Sequence, residues 1–399
     1  MAKKEQGIPS SSNRAMTLGD AIKKMNKKYK GDHILANARH DARFIVPRVS
    51  TELYAMDVAT NGGLPMHRVS MAYGEAKGGK TTLFLRGLGN IQKLCGNCYQ
   101  PGVFAEGKLE LPNLETGEVT QVDTHVIQDC PCGNPRDILA LWVDAEGVWL
   151  PEWADKMGVW SEKTIVMRPS YGEQGYDVIT SFASTGMIDL MVIDSIAAMT
   201  PMDELEGGME EKLVGVGARM NNKFVRKIVS LMNRGFQHNT PMTVWAINQY
   251  REKVGGMPGF GPKKVLPGGK GQLFSTSIEI EMNPGKITVD DNGEPLFGEF
   301  YWQIKKNKLG PSGGKGSFKQ WMTDTDLFVV GDLQEHELVI QRAVDMGLIE
   351  HPNSTMYNIG EEKFRGINQL IRYFGEYPDK YNEMKDMMLR RKLNVEVDR

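Results

Sequence analysis

Gly74-Glu75-Ala76-Lys77-Gly78-Gly79-Lys80-Thr81 is the stretch on which the fold turns. It fits the pattern G-x-x-x-x-G-K-[ST]. Its glycines let backbone N–H groups turn inward around phosphate oxygens. Lys80 can neutralise β/γ-phosphate charge, and the Thr81 hydroxyl can hold Mg²⁺. Thr82 completes the predicted phosphate-binding set. The context suits the motif. Residues 69–73 are a short apolar run, read as a strand, and residues 81–94 have helical spacing. Such a helix points its positive end at the phosphates. The predicted ligand is ATP with Mg²⁺.

Working outward, further apolar runs at 138–144, 187–194 and 241–249 alternate with helix-like stretches. Each reads as a strand buried on both faces of a parallel sheet. Residues 275–282 and 299–305 alternate apolar and polar, as later strands with one polar face would. The class is therefore α/β, with a mostly parallel central sheet. Asp194 ends one run, where a Mg²⁺-orienting carboxylate belongs. Asp144-Ala145-Glu146 ends another, and Glu146 could activate water if its strand neighbours the phosphate-loop strand.

The flanks are different in kind. Residues 1–16 are polar and basic, with little to bury, and read as disordered. Leu18, Ile22, Met25 and Tyr29 then form one stripe of a short helix. That stripe either packs on its own core or docks on a neighbouring subunit. The expected organisation is an N-terminal segment with a polymerisation helix (1–47), an ATPase core (48–332), an inserted module (95–137) and a small C-terminal α/β domain (333–399). The last is helix-rich and mixed in charge.

Short matches in one order extend the reading. Gly62-Gly63-Leu64-Pro65 precedes the phosphate-loop strand. Asp144-Ala145-Glu146, Gly172-Glu173-Gln174, Val192-Ile193-Asp194-Ser195, Gly217-Ala218-Arg219-Met220, Ile247-Asn248-Gln249, Gly268-Gly269 and Lys306-Asn307-Lys308 follow. In these the chain resembles the RecA family of DNA recombinases, from about residue 31 to residue 346 with the insert excluded. The resemblance implies a RecA-like P-loop ATPase core with ATP held between adjacent subunits of a helical filament. It implies that Glu146 activates water, that Gln249 senses the γ-phosphate, and that Lys306 and Lys308 reach the neighbour's nucleotide.

DNA contact is expected from two loops, about 204–216 and 250–271. The second is long enough to suggest a function. Arg251, Lys253, Lys263, Lys264 and Lys270 would contact phosphates, and the Gly268-Gly269 backbone could approach the sugar–phosphate chain. Arg219 and Arg226, seven apart, share a helix face. Single- and double-stranded DNA are the implied partners, with homologous pairing and strand exchange as the activity. Two departures stand out: Leu150 replaces the family's usual aspartate near the adenine, and the first loop carries Met209-Glu210-Glu211-Lys212. Two other readings stay open, a RadA-like branch-migration motor and an ATP-gated DNA-coating mediator.

The insert carries all four cysteines, Cys95-x-x-Cys98 and Cys130-x-Cys132, with 31 residues between the pairs. Four thiolates can close a tetrahedral structural Zn²⁺ site, with room for a hairpin between the pairs. His125 is the reserve ligand, and free or redox-active thiols are the alternative. Across the 399 residues, 48 basic side chains nearly balance 50 acidic ones, so a nucleic-acid surface must be local. No apolar run approaches membrane-spanning length, and no signal peptide is evident. A cytoplasmic protein without membrane contact is expected.

Overall fold

The computed structural model describes residues 11–29, 44–113, 116–208, 215–238, 240–252, 264–269 and 271–393. Its centre is a nine-stranded sheet. From one edge the strands are Leu333–Gln334, Lys315–Trp321, Pro295–Asn307, Ile278–Val289, Val69–Gly74, Thr243–Gln249, Leu190–Asp194, Ala140–Asp144 and Thr164–Met167. The last six run parallel and the first three are antiparallel. The expected strands are present with shifted ends. The run at 275–282 opens with the last turn of a short helix, Gly271–Ser275, and its strand continues to Val289.

Two-residue periodicity explains why the parallel strands are continuously apolar. Successive side chains point to opposite faces. Ala72, Trp142, Val192 and Trp245 enter one core with Leu83, Phe84 and Leu88 of the helix Lys80–Gln92. Met71, Val143, Ile193 and Val244 enter the other, against Tyr176 and Ile179 of the helix Gly172–Thr185 and Phe224, Ile228 and Met232 of the helix Val216–Gln237. With both faces covered, polar residues collect at strand ends, which is where the chemistry sits.

A third apolar cluster joins helices His336–Asp345, Ile367–Glu376 and Pro378–Leu393 to Tyr54 and Phe328. A three-stranded antiparallel sheet, 350–353, 356–359 and 362–365, lies among those helices. At the other terminus the helix begins at Ser11, so residues 11–16 are not the unstructured tail expected of them. Low apolar content did not prevent helix formation there, because Ala, Met, Arg and Ser are acceptable helix formers. Leu18, Ile22, Met25 and Tyr29 are all exposed. The reading in which that stripe packs on the chain's own core is therefore wrong.

The insert is a β-hairpin, Val103–Pro112 paired with Val119–Asp129. It is fastened to the sheet by Arg136, which spans Gly96 O, Asn97 Oδ1 and both oxygens of buried Asp189. Arg136→Ala removes the ion pair of that carboxylate and leaves it the Leu139 N–H. It is expected to cost about 1–3 kcal/mol of unfolding free energy. The low end is favoured because the Arg136 side chain is 42% exposed, where water screens the pair. Urea denaturation measures this, and an unchanged midpoint would assign the fastening to other contacts.

Candidate active site

The site is assembled at the C-terminal ends of the parallel strands. Gly74 closes its strand with φ +145°, and a Cβ there would lie 1.9 Å from Met282 O. Only glycine lets the phosphate loop leave the sheet at that point. Lys80 is buried, and its ammonium donates to Glu75 O across the loop. Burial lowers the Lys80 pKa, against the pull of Asp194, Glu146 and Glu75. The Glu75 carboxylate turns outward and pairs with Lys264. Thr82 faces away from the loop, its Oγ1 3.5 Å from Gln320 Oε1.

Thr81 Oγ1 donates to Asp194 Oδ2 at 2.9 Å. Burial pushes Asp194 up to about 7, with the nearby Glu146 and Asp144 charges adding to the effect. Thr81 and Lys80 oppose it. A buried carboxylate beside two others is a bed for a cation, and hydroxyl plus carboxylate are the hard oxygen ligands that Mg²⁺ takes. Thr81 and Asp194 therefore fit Mg²⁺.

Glu146 does not sit on a strand next to the phosphate-loop strand. Two strands, Thr243–Gln249 and Leu190–Asp194, intervene. The turn after Asp144 brings it back. Asp144 accepts from Val148 N at 2.9 Å, Trp149 N at 3.0 Å and Arg168 Nε at 2.8 Å, which fixes the turn. Exposed Glu146 then accepts from Gln249 Nε2 at 2.8 Å and Ser195 Oγ at 2.5 Å. Side chains from three strand ends thus meet at one carboxylate.

Gln249 also leads outward. Its neighbour Asn248 is buried and donates through Nδ2 to Pro267 O at 3.0 Å. Pro267 adjoins Gly268-Gly269, which pack against Ala218, Asn221 and Asn222 of the helix that bears Arg219. The second loop is not wholly structureless, because Arg251–Glu252 pairs antiparallel with Lys264–Val265. The first loop opens with a short helix, Met202–Glu206. Arg219, Lys223 and Arg226 are exposed along one helix face. Arg251 folds back onto Ala197 O. Lys253, Lys263, Lys270 and residues 209–212 lie outside the described residues.

Lys306 and Lys308 are elsewhere. Gly74 pairs with Met282 and Met282 with Trp302, whereas Ser70 pairs with Ile278 and Ile278 with Asn307. Four residues at the strand rise put the Lys306–Lys308 level about 13 Å back from the phosphate loop. There Lys306 donates to Leu273 O, Thr276 Oγ1 and Glu279 Oε1, and Lys308 to Phe274 O at 2.6 Å. Leu150 is exposed at the start of the helix Pro151–Lys156.

The four cysteine sulfurs lie within 4.8 Å of one another. His125 is not among them, since its ring stacks on Trp160 at 5.3 Å. Sequence reasoning missed Ser195, Asn248, Lys223 and the Glu75–Lys264 pair. Lys223 was legible, being four from Arg219 and three from Arg226; the others required knowing which strand ends meet. No helix among the described residues is long and apolar enough to cross a membrane.

The model of the RecA N-terminal domain matches residues 16–110 and 101–322. Curated relatives named Protein RecA match most of the length. That of Streptomyces rimosus is 29% identical over 88% of this chain and 78% of its own. That of Aquifex aeolicus is 28% identical over 85% and 82%. That of Amycolatopsis mediterranei is 26% identical over 97% and 95%.

Proposed function

Because the chain belongs to the RecA family, we propose that it is a DNA-dependent ATPase that polymerises on single-stranded DNA and promotes homologous pairing and strand exchange with duplex DNA. The observation that carries this is the Gln249–Glu146 contact. One residue touches the carboxylate suited to activating water and also opens the loop suited to holding DNA. A γ-phosphate competing for the Gln249 amide would shift that strand end, and Asn248 would pass the shift to Pro267 and the Gly268-Gly269 turn.

In this reading the amides of residues 74–82 and Lys80 hold the ATP phosphates, Thr81 and Asp194 hold Mg²⁺, and Glu146 takes the proton of the attacking water. Arg219, Arg226, Arg251, Lys253, Lys270 and the Gly268-Gly269 backbone contact DNA phosphates. These contacts are indifferent to sequence, so base pairing does the reading. Lys306 and Lys308 act on the nucleotide of an adjacent copy. The exposed stripe Leu18, Ile22, Met25 and Tyr29 supports docking on that neighbour. Zinc is the ion we assign to the cysteine cluster, away from the reacting centre.

The test is purified full-length protein with ATP, Mg²⁺, a circular single strand and homologous linear duplex. ATP-dependent joint molecules, and hydrolysis stimulated by the single strand, are expected. DNA coating without turnover would favour the mediator reading, and neither filaments nor exchange would end the recombinase reading.

A further inference from the structure

The cysteine cluster joins elements whose other ties are mostly polar, chiefly those of Arg136, with little apolar core between them. Cys95 and Cys98 lie in the turn after the helix Lys80–Gln92, and Cys130 and Cys132 follow the hairpin strand Val119–Asp129. The apolar cluster at this junction is Cys95, Ile127 and Cys130, with Cys98 and Phe104 packed against it. Three of its five members are the cysteines themselves. Further contacts come from Trp160, whose ring meets Phe104 and His125, and from Lys163 over the Phe104 ring. A two-stranded hairpin is marginal alone in water, and small modules with so little core rely on a staple.

The sulfurs are arranged for one. Cys130 and Cys132 Sγ are 3.1 Å apart, Cys95 and Cys132 Sγ are 4.0 Å apart, and all four fall within 4.8 Å. Tetrahedral bonds of about 2.3 Å would set the sulfurs ~3.8 Å apart. Asn97 N–H points at Cys95 Sγ at 3.4 Å, a donor suited to a thiolate. Four soft sulfurs select zinc over hard cations.

We propose that one Zn²⁺ on Cys95, Cys98, Cys130 and Cys132 is the clamp of the hairpin, making residues 103–129 a metal-dependent folding unit separable from the nucleotide-binding core. The hairpin is two-faced. Its half-buried side carries Leu109, Val122 and Val126, and its exposed side carries Glu106, Lys108, Glu110 and Asp123. Leu109 forms one wall of a cleft of about 740 Å³ at the N-terminal ends of the parallel strands, the end of the sheet away from the phosphate loop, facing Ile45, Met187 and Phe236. Loss of the ion would take that wall away while leaving residues 74–81 in place.

Elemental analysis of the full-length protein should find about one zinc per chain. Replacement by Co²⁺ under reducing conditions should give the intense visible absorption of tetrahedral thiolate coordination. Hydrogen exchange after chelation should strip protection from 103–129 and leave strands Val69–Gly74 and Leu190–Asp194 protected. Cys95→Ser should lower bound zinc at least tenfold and reproduce that local loss. Native, reduced protein that holds no metal and takes up no Co²⁺ overturns the site, and iron in its place overturns the ion. Zinc removal that leaves hairpin protection unchanged overturns the clamp. None of these readouts needs turnover, so failure here is distinct from failure of the ATPase reading.

Discussion

Glu146→Gln is expected to leave ATP binding within about twofold while lowering DNA-stimulated hydrolysis by about 10²–10⁴-fold. The change is nearly isosteric. A glutamine oxygen can still accept the Gln249 amide and the Ser195 hydroxyl, the two donors that now meet Glu146 Oε1. What disappears is a carboxylate able to take a proton from water. The phosphate-holding parts are untouched, because Lys80, Thr81 and Asp194 keep their own contacts. The variant should therefore assemble on single-stranded DNA with ATP and release slowly. Single-turnover hydrolysis alongside fluorescent-nucleotide binding separates the two effects. A rate within threefold of the parent protein would show that another group activates water, because a true base contributes roughly a hundredfold or more.

The difference between what the sequence reveals and what it hides follows from periodicity and distance. Runs such as Leu190–Asp194 are legible because each residue is buried in one of two cores. That burial removes polar residues from four consecutive positions, Leu190 to Ile193, and leaves the carboxylate of Asp194 at the strand end. The Gly74–Thr81 motif is legible because backbone geometry and phosphate chemistry act locally. Strand order is not local. The strand that ends before Glu146 is not beside the phosphate-loop strand, and Gln249 and Ser195 reach that carboxylate from the two strands between. Composition alone also misjudged residues 11–16, where modest helix propensity continues a helix already set by the stripe at Leu18. The reserve role for His125 fails because its ring stacks on Trp160 instead, although Ile127 on the same strand face packs with the cysteines. Ligand spacing counted along the chain does not reveal which neighbour a side chain meets.

Strand register also sets where Lys306 and Lys308 can act. Lys306→Ala with Lys308→Ala should reduce DNA-dependent hydrolysis by about 10³-fold or more, the scale of a charge supplied across an interface. Within one chain these ammonium groups cannot reach the phosphate loop. They stand near the start of the phosphate-loop strand's level, held by Leu273 O and Phe274 O at the end of the short helix that follows the second loop. A neighbour's nucleotide is the partner their charge suits, and their attachment to that helix would let DNA occupancy set their position. The discriminating experiment is a mixture. Protein lacking the two lysines but keeping Glu146 is combined with Glu146→Gln protein that keeps its lysines. If the cations act between subunits, the mixture should recover hydrolysis, because some interfaces then pair an intact Glu146 with intact lysines. If they act within a chain, the mixture stays as inactive as its parts. Recovery must also depend on DNA, since only assembled subunits share interfaces. A double variant of undiminished rate would remove the lysines from the catalytic set and leave Lys80 as the phosphate cation in the site.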